Sequence, residues 1–338
     1  MSEPLLPVWL AVWGLSFVGT WAARRYALRR NLVDAPGERR SHVIATPRGG
    51  GIAIVVAVAL GAPVAVAYLG MHASAAAWAA WTGMVLVAAA GWLDDHRPVS
   101  PWGRLAIHAL AAGLFSYGLW WDGTPAWQAM LGFIVPLVLT NVWNFMDGID
   151  GIAASQAAVV ATTVVLVDPG LGGAVAALLV AACLGFLPFN FPRARLFMGD
   201  VGSGAIGFLL GALVVHAAGV APAAGLILAG TLAPFMVDAG LTLGRRILRG
   251  ERWWTPHVQH AYQVAARRWG HPTVTLAFAA LAVAGAGLGL GLSRMGVTTI
   301  FMSSMLAAWY MSAAILWLAT QRSKRDGEGV PPDRKEKT

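Results

Sequence analysis

The chain is organised around the stretch Asn141-Val142-Trp143-Asn144-Phe145-Met146-Asp147-Gly148-Ile149-Asp150-Gly151, which lies between two long apolar runs. Its two amides and two carboxylates recur every three residues, and on a helix that step keeps all of them on one side. Such side chains are costly beside hydrocarbon but suit a metal ion or a phosphate group. The two glycines would let a ligand approach the backbone closely. The stretch therefore predicts a polar site where a membrane-spanning helix ends.

The overall composition indicates an integral membrane protein. Of 338 residues, 57% are hydrophobic and 12% are charged, whereas a soluble domain carries roughly 25% charged residues. The single cysteine, Cys183, lies in an apolar run and is expected to pack there, since no disulfide framework exists. The net charge of +8 comes from basic residues in short loops. This distribution favours anionic lipid headgroups and anionic substrates over nucleic acid.

Eleven apolar stretches are long enough to span a bilayer. The sequence therefore predicts an all-α polytopic membrane protein with about eleven transmembrane helices, in which residues 1–320 form a single transmembrane catalytic domain. Residues 321–338 are expected to be a disordered cytoplasmic tail. The predicted spans lie near residues 5–23, 51–70, 75–93, 104–121, 126–143, 152–167, 171–188, 204–220, 222–243, 273–292 and 297–319.

The basic residues predict the orientation of these spans. All of the 24 Lys and Arg except Arg294 lie in alternate connections or in the C-terminal segment. Because positively charged loops stay in the cytoplasm, the N-terminus is expected in the periplasm and the C-terminus in the cytoplasm. An odd number of spans fits this arrangement. Residues 5–23 have no positively charged start and no small-residue cleavage site, so they are expected to remain as a helix.

Two further polar clusters precede the central stretch on the same predicted side. Arg48 is followed by Gly49, Gly50 and Gly51 where a span begins. Backbone N–H groups at such a helix start could bind a phosphate or nucleotide, or the segment could be a flexible loop with topology-fixing arginines. Asp94-Asp95 ends another span, with Arg104 further along. Adjacent carboxylates there could bind Mg²⁺ or could form a solvated turn.

Two more clusters follow the central stretch. Asp200 lies between glycines just before a span, which suits a metal-bound phosphate, although capping of the helix is the simpler alternative. His257 and His260 would share a helix face. A zinc pair would need further ligands, so phosphate or sugar contacts fit better, and an interfacial basic helix is the alternative. Asp238 lies inside a span, where Arg245 or Arg246 is its expected partner.

These motifs together resemble those of the polyprenyl-phosphate N-acetylhexosamine-1-phosphate transferases, glycosyltransferase family 4. The Asp94-Asp95 pair, the central stretch, Phe197-Met198-Gly199-Asp200-x-Gly202-Ser203 and the His-bearing last loop occur in the family's order and spacing. The resemblance covers roughly residues 40–265. Ser41-His42, Thr46-Pro47-Arg48-Gly49-Gly50 and His257-x-x-His260 are similar to the branch that starts O-antigen or other surface-polysaccharide assembly, rather than to the muramoyl-pentapeptide branch.

The resemblance implies that a UDP-N-acetylhexosamine donates its sugar 1-phosphate to undecaprenyl phosphate and that UMP is released. The donor would be UDP-GlcNAc or a related UDP-N-acetyl-deoxyhexosamine, at the cytoplasmic side of a bacterial inner membrane. Mg²⁺ would be required, with Mn²⁺ as a substitute, and a homodimer is the expected assembly. The metal ligands would be Asp200 and Asp95, the catalytic residues Asp94, Asp95, Asp147 and Asp150, and the substrate-binding residues Arg48, Asn141, Asn144, Asn190, Arg193, Arg195, His257 and His260.

Two questions stay open at the level of sequence. The alternative to an enzyme is an ion-coupled membrane transporter, which should carry acids near mid-span and broken helices in two matching halves; here only Asp238 lies deep in a span. The second question is the role of Asp94. A phosphate monoester has a second pKa of about 6 and is largely dianionic at neutral pH. Asp94 is therefore expected to orient the acceptor or a metal-bound water rather than to act as a general base.

Overall fold

A computed structural model describes residues 5–34, 45–252, 254–255 and 257–328, with side chains described as far as residue 322. Within these residues the chain forms twelve helices and one two-stranded ribbon. In the ribbon, β1 and β2 are antiparallel, with Val33 opposite Pro47. In chain order the elements are α1 (Leu6–Arg29), β1 (Val33–Asp34), β2 (Thr46–Pro47), α2 (Ile52–Tyr68), α3 (Ala75–His96), α4 (Pro101–Trp121), α5 (Ala126–Met146), α6 (Ile152–Val167), α7 (Leu171–Asn190), α8 (Asp200–Val220), α9 (Pro222–Leu248), α10 (Ala261–Trp269), α11 (His271–Arg294) and α12 (Thr299–Glu328).

The helices confirm an all-α polytopic membrane protein. In the described part of the chain, eight helices are long and apolar enough to cross a membrane, and α2 and α6 are shorter apolar helices. Every predicted span coincides with a helix, and the short α10 is the additional one. The count of eleven crossings and their orientation in the membrane stay predictions.

Some helix ends differ from the sequence-based boundaries. The eighth helix begins at Asp200 rather than near 204, because its first turn is capped by a carboxylate from another helix, as described below. The last helix continues to Glu328, past residue 321 where the disordered tail was expected to begin. Residues 329–338 and the Ser41-His42 pair lie outside the described residues, so the expectations for them stay predictions.

Helix α8 lies at the centre of the bundle and packs against α3 and α5. Small residues allow this close approach, as is usual between helices in membranes. A Cβ on Gly207 would collide with the backbone of Leu139, and one on Gly91 would collide with the backbone of Asp200. The C-terminal end of α3 and the first residue of α8 are therefore held in contact.

Backbone hydrogen bonds connect the start of α2 to the loop before α8. The Phe197 N–H donates to the Pro47 carbonyl at 2.8 Å, and the Gly50 N–H donates to the Phe197 carbonyl at 2.9 Å. The Gly51 N–H donates to the Met198 carbonyl at 2.8 Å. The start of α2, the end of α3 and the loop before α8 are distant in sequence and meet at one end of the bundle. We call this end the cavity end.

Candidate active site

A cavity of about 240 Å³ opens at the cavity end of the bundle. Its walls come from the ribbon, the ends of α3, α5 and α7, the start of α8, and α10. Carboxylates, amides and one guanidinium dominate this surface, so it can accept a charged, strongly hydrogen-bonding ligand. The described residues that line it are Asp34, Arg48, Asp95, Asn144, Asp147, Gly148, Ile149, Asn190, Phe197, Gly199, Asp200, Ser203 and Gln263.

Asp95 organises one wall of the cavity. Its side chain is buried, and its carboxylate accepts hydrogen bonds from the backbone N–H groups of Asp200 at 3.3 Å and Val201 at 3.2 Å. A carboxylate is a favourable cap because the first N–H groups of a helix lack partners inside the helix. The Arg48 guanidinium donates to the Asp95 carbonyl at 2.7 Å. Asp95 thus fixes the start of α8 and places Arg48 beside it.

Arg104 joins two of the predicted acidic residues. Its Nη1 lies 2.8 Å from Asp94 Oδ2 and 2.5 Å from Asp200 Oδ2. The other oxygen of Asp94 accepts the Val99 N–H at 2.6 Å. Asp94 therefore holds the turn between α3 and α4 and orients the arginine that meets Asp200. The sequence showed that Arg104 follows the Asp94-Asp95 pair closely. It gave no signal for the contact with Asp200, which is 96 positions away.

Asp147 faces the cavity from the end of α5. Among the described residues, no hydrogen bond to its carboxylate is found. Burial raises the pKa of Asp147 well above its usual value, and the negative charges of Asp200 and Asp95 raise the pKa further. Several acids thus face one small space, and a cation in that space would relieve their mutual repulsion.

The two cavity-lining amides have different surroundings. The Asn144 amide lies 3.5 Å from the Ser203 hydroxyl, so it leaves hydrogen-bonding capacity for a ligand. Asn190 is buried and accepts the Gly151 N–H while its own amide donates to the Leu196 carbonyl, each at 3.0 Å. Asn190 therefore braces the loop after α5 against the loop before α8, although it also lines the cavity.

Seven of the predicted site residues lie outside the lining of the cavity: Asp94, the two histidines and the following four. The Asn141 amide donates to the Leu137 carbonyl in its own helix at 2.8 Å. Asp150 lies 3.2 Å from His271 Nδ1. Arg193 and Arg195 are exposed, and the Arg195 guanidinium donates to a backbone carbonyl at 2.6 Å. Their assignment to catalysis or substrate binding stays a prediction that this geometry does not support.

The two histidines lie just behind the cavity wall. Their rings stack with centroids 4.9 Å apart, and neither ring is part of the described lining. Burial lowers the pKa of His257 to about 4, and the nearby His260 and Arg246 lower it in the same direction. His257 is therefore neutral at neutral pH, and it would contact a sugar or phosphate through hydrogen bonding rather than through charge.

Asp238 has a different partner from the one expected. The sequence suggested Arg245 or Arg246, and that expectation is wrong. Its carboxylate oxygens accept the backbone N–H groups of Ala261 and Tyr262, both at 2.8 Å. The N-terminus of α10 supplies unpaired donors and a favourable dipole, so it satisfies this buried acid.

The anchored helix α10 in turn shapes the cavity. Tyr262 donates its hydroxyl to the Phe145 carbonyl at 3.0 Å and packs against Gly148. The next residue, Gln263, is part of the lining. A side chain on Gly148 would collide with the Tyr262 hydroxyl, which explains why glycine follows Asp147. Neither Gln263 nor Asp34 was among the site residues predicted from the sequence.

The donor set matches a hard divalent cation that is held jointly with a substrate. Among the described residues, no three His, Cys, Asp or Glu side chains are grouped closely enough to hold a metal by themselves. Mg²⁺ is usually bound through one or two carboxylates together with substrate phosphates. Asp147 and Asp200, which face the cavity, fit that requirement. Both oxygens of Asp95 already accept backbone hydrogen bonds from α8.

An apolar cavity of about 280 Å³ adjoins the polar one between α1, α2 and α3. The two cavities share Arg48 and Asp95. Polar and apolar surfaces therefore meet at one arginine, an arrangement that suits an amphiphile with an anionic head. The apolar walls include Leu15, Gly19, Ala22, Ile52, Ala53 and Trp92.

Comparison with known proteins finds similar transferases. Residues 77–218 match the family model described as glycosyl transferase family 4. The chain is 33% identical to a decaprenyl-phosphate N-acetylglucosaminephosphotransferase from Mycolicibacterium smegmatis, over 61% of this chain and 58% of that protein. A probable undecaprenyl-phosphate N-acetylglucosaminyl 1-phosphate transferase from Bacillus subtilis is 31% identical over 56% of each chain. A phospho-N-acetylmuramoyl-pentapeptide-transferase from Deinococcus radiodurans is 34% identical over 52% of each chain.

The chain is therefore similar to the polyprenyl-phosphate hexosamine-1-phosphate transferases of glycosyltransferase family 4. It spans between about half and three fifths of the length of the three relatives named above. The first two relatives differ in their polyprenyl carrier, and the third differs from them in its sugar. The helices show a multi-pass membrane protein, and the comparisons show its likeness to these transferases over part of the chain.

Proposed function

We propose that the protein transfers N-acetylhexosamine 1-phosphate from a UDP-sugar, such as UDP-GlcNAc, to undecaprenyl phosphate. An oxygen of the acceptor phosphate forms a bond to the sugar-bearing phosphorus of the donor. The bond between that phosphorus and the bridging oxygen breaks, and UMP leaves with the oxygen. The products are UMP and an undecaprenyl-diphosphate-linked sugar. The observation that carries this proposal is the convergence of Asp95, Asp147 and Asp200 with Arg48 around one polar cavity.

The cavity suits the electrostatic demands of this reaction. Donor and acceptor are both anionic, so catalysis needs positioning and charge neutralisation above all. Arg48 lies where the polar and apolar cavities meet, a suitable place for the phosphate of a lipid acceptor. Arg104 reaches the same region through its contact with Asp200. Asn144 and Gln263 offer hydrogen bonds to the nucleotide sugar.

We further propose that Asp200 and Asp147 hold Mg²⁺, for which Mn²⁺ can substitute. When bound, the ion neutralises phosphate charge and polarises the reacting phosphoryl group. The protein itself holds these ligands in position: Arg104 contacts the Asp200 carboxylate, and Asp95 caps the start of α8. Asp94 carries two hydrogen bonds that fix Arg104 and the α3–α4 turn. That engagement supports an orienting role for Asp94 rather than a general-base role.

The proposal extends to location and pathway. The concentration of Lys and Arg in alternate connections supports, by the positive-inside rule, a cavity on the cytoplasmic side of the bacterial inner membrane, where UDP-sugars are found. Similarity of the first and last loops to the O-antigen branch supports a role in starting surface-polysaccharide assembly. A homodimer remains the proposed assembly. The transporter alternative loses its main support, because the deep acid Asp238 is committed to the N-terminus of α10.

A direct assay tests the proposal. Purified protein would be incubated with undecaprenyl phosphate, Mg²⁺ and a panel of UDP-N-acetylhexosamines, and UMP and lipid-linked sugar would be measured together. We expect equal amounts of both products, loss of both with EDTA, and their return when Mg²⁺ or Mn²⁺ is added. Turnover with none of the donors, in protein shown to be folded by its thermal unfolding, would contradict the proposal.

A further inference from the structure

A groove of about 570 Å³ lies outside the proposed active site, between the C-terminal part of α9 and the end of α12. Three arginines line it, namely Arg245, Arg249 and Arg322, and no acidic side chain does so among the described residues. The groove begins on two helices that are apolar enough to span a membrane and ends among their terminal cations. Its basic part therefore lies where lipid headgroups meet the protein.

The rest of the groove is apolar and open. Leu248 is 89% exposed, and Leu241 and Leu318 are also exposed. Gly240 and Gly244 form part of the floor, and a Cβ on either would meet no atom within 4 Å. Because these glycines follow each other by one helical turn, they leave a bare strip of α9 along which a hydrocarbon chain can lie. Neither the proposed sugar transfer nor the packing of the bundle accounts for this strip.

We propose that this groove binds one anionic phospholipid of the surrounding bilayer. Its phosphate would contact the three arginines, and an acyl chain would lie against Gly240, Gly244 and Leu248. Basic pockets between membrane helices commonly bind anionic headgroups in this way. A zwitterionic lipid matches the apolar strip equally well, but its own cation would meet the three arginines unfavourably. The charge of the groove therefore selects the anionic headgroup.

The groove is connected to the loop that carries the two histidines. Arg245 donates to the Gln321 side-chain oxygen at 2.9 Å, and the Gln321 amide donates to the Gln259 carbonyl at 2.8 Å. Gln259 lies between His257 and His260. A lipid bound at Arg245 would thus stabilise the end of α12 and, through Gln321, the segment that leads into α10.

The test measures lipid binding directly and needs no catalytic activity. Wild-type protein and variants would be purified from nanodiscs containing phosphatidylcholine with or without phosphatidylglycerol, and bound lipid would be counted by native mass spectrometry. We expect the wild type to retain one phosphatidylglycerol in preference to phosphatidylcholine. One arginine near a membrane surface is worth about fivefold in affinity, so R249Q should lower retention about fivefold, and R245Q/R249Q/R322Q should abolish it.

Two matched variants separate a built site from general attraction. G244L fills the groove while it keeps every arginine, and open space at Gly244 makes this change tolerable to the fold; it should also lose the lipid. R25Q/R29Q/R30Q removes three exposed cations from the end of α1 and should keep it. Equal retention of both lipids, unchanged retention in G244L, or loss in the α1 variant would each overturn the proposal. Failure of the proposed enzyme activity would leave all three results unaffected.

Discussion

The two ends of the helix bundle both carry aspartates at helix termini, but they use them differently. At the end opposite the cavity, Asp122 accepts the backbone N–H groups of Ala75 and Ala76 and so caps α3. Asp168 is buried there, accepts the Gly170 N–H at 2.7 Å and lies 3.5 Å from His216. Each of these acids has its contacts within its own end of the bundle, although Asp168 Oδ2 has no hydrogen-bond partner among the described residues.

At the cavity end, Asp95 caps α8 in the same manner as Asp122 caps α3. Here, however, Asp147 and Asp200 face the same cavity, and Arg48 and Arg104 lie against the group. Capping accounts for one acid per helix start, but it does not account for acids from the ends of three helices around one cavity. The comparison teaches that an aspartate at a helix end is a structural feature by itself and becomes a functional candidate only through its tertiary neighbours.

The largest expected effect is on kcat, which a substitution at the cavity end should lower and a matched substitution at the opposite end should not. Asp200→Asn keeps the shape of the side chain but removes a charge from the cavity. Since loss of one electrostatic contact to a transition state costs about 10²–10³-fold in rate, we expect a fall of that size in kcat for UMP release. Asp122→Asn is the matched control at the far end and should keep the wild-type rate. Equal losses in both variants would mean that the cavity has no special role.

A second effect concerns the unpaired carboxylate. Asp147→Asn should lower kcat by about 10²-fold for the same electrostatic reason. In ligand-free protein at pH 8 it should also raise the melting temperature, because burial and two neighbouring carboxylates disfavour the ionised form of Asp147 and an amide cannot ionise. Loss of activity with a gain in stability is the expected signature, measured by turnover and by thermal unfolding. A less stable Asp147→Asn protein would contradict the proposed repulsion.

The raised pKa of Asp147 also predicts the sign of a pH effect. Because the folded protein binds this proton more tightly than the unfolded chain, the contribution of Asp147 to stability is largest below the ordinary aspartate pKa. That contribution is lost as the pH rises through the raised pKa. Affinity for Mg²⁺ should change in the opposite direction and increase with pH. The Asp147→Asn protein should show weaker pH dependence of both quantities, which calorimetry and metal titration can measure.

A smaller effect is expected from the anchor of α10. Asp238→Asn keeps one good acceptor but weakens two hydrogen bonds to the backbone of Ala261 and Tyr262. Because α10 carries Gln263 into the cavity, we expect about a tenfold increase in KM for the UDP-sugar, which is 1.4 kcal/mol of binding, with a smaller change in kcat. An effect confined to kcat would argue against positioning through α10.

The smallest effect compares two caps directly. Asp95→Ala and Asp122→Ala each remove a carboxylate that caps a helix, and each should cost about 1 kcal/mol in the free energy of unfolding. Only Asp95→Ala should also reduce turnover, since it loosens the start of α8 at Asp200. Chemical denaturation and the UMP assay together test this. Similar turnover in the two variants would remove the distinction between the ends.

The sequence predicted the helices well because each span is a long apolar run with polar ends. It also predicted that the acids of separate clusters would share one surface, and Asp95, Asp147 and Asp200 do line one cavity. It could not separate the two Asp-Gly pairs of the central stretch. Asp147 faces the cavity, whereas Asp150 pairs with His271. Local spacing cannot reveal a partner that is 121 positions away.

The same reason explains the error at Asp238 and the absence of Arg104 from the predicted site. Arg245 and Arg246 were the nearest cations in sequence to Asp238, but the N-terminus of α10 supplies backbone donors closer in space. The contact between Arg104 and Asp200 depends on the packing of α3 against both α4 and α8. The periodicity of a sequence predicts which side chains share one face of a helix. It does not predict which other helix packs against that face.

The most direct test of the central claim is Mn²⁺ binding measured by electron paramagnetic resonance on purified protein with UDP-GlcNAc present. The account predicts one bound Mn²⁺ in the wild type and in Asp122→Asn, and loss of that signal in both Asp147→Asn and Asp200→Asn. Retention of the bound ion in both cavity variants would show that these acids do not form a common cation site, and it would contradict the account.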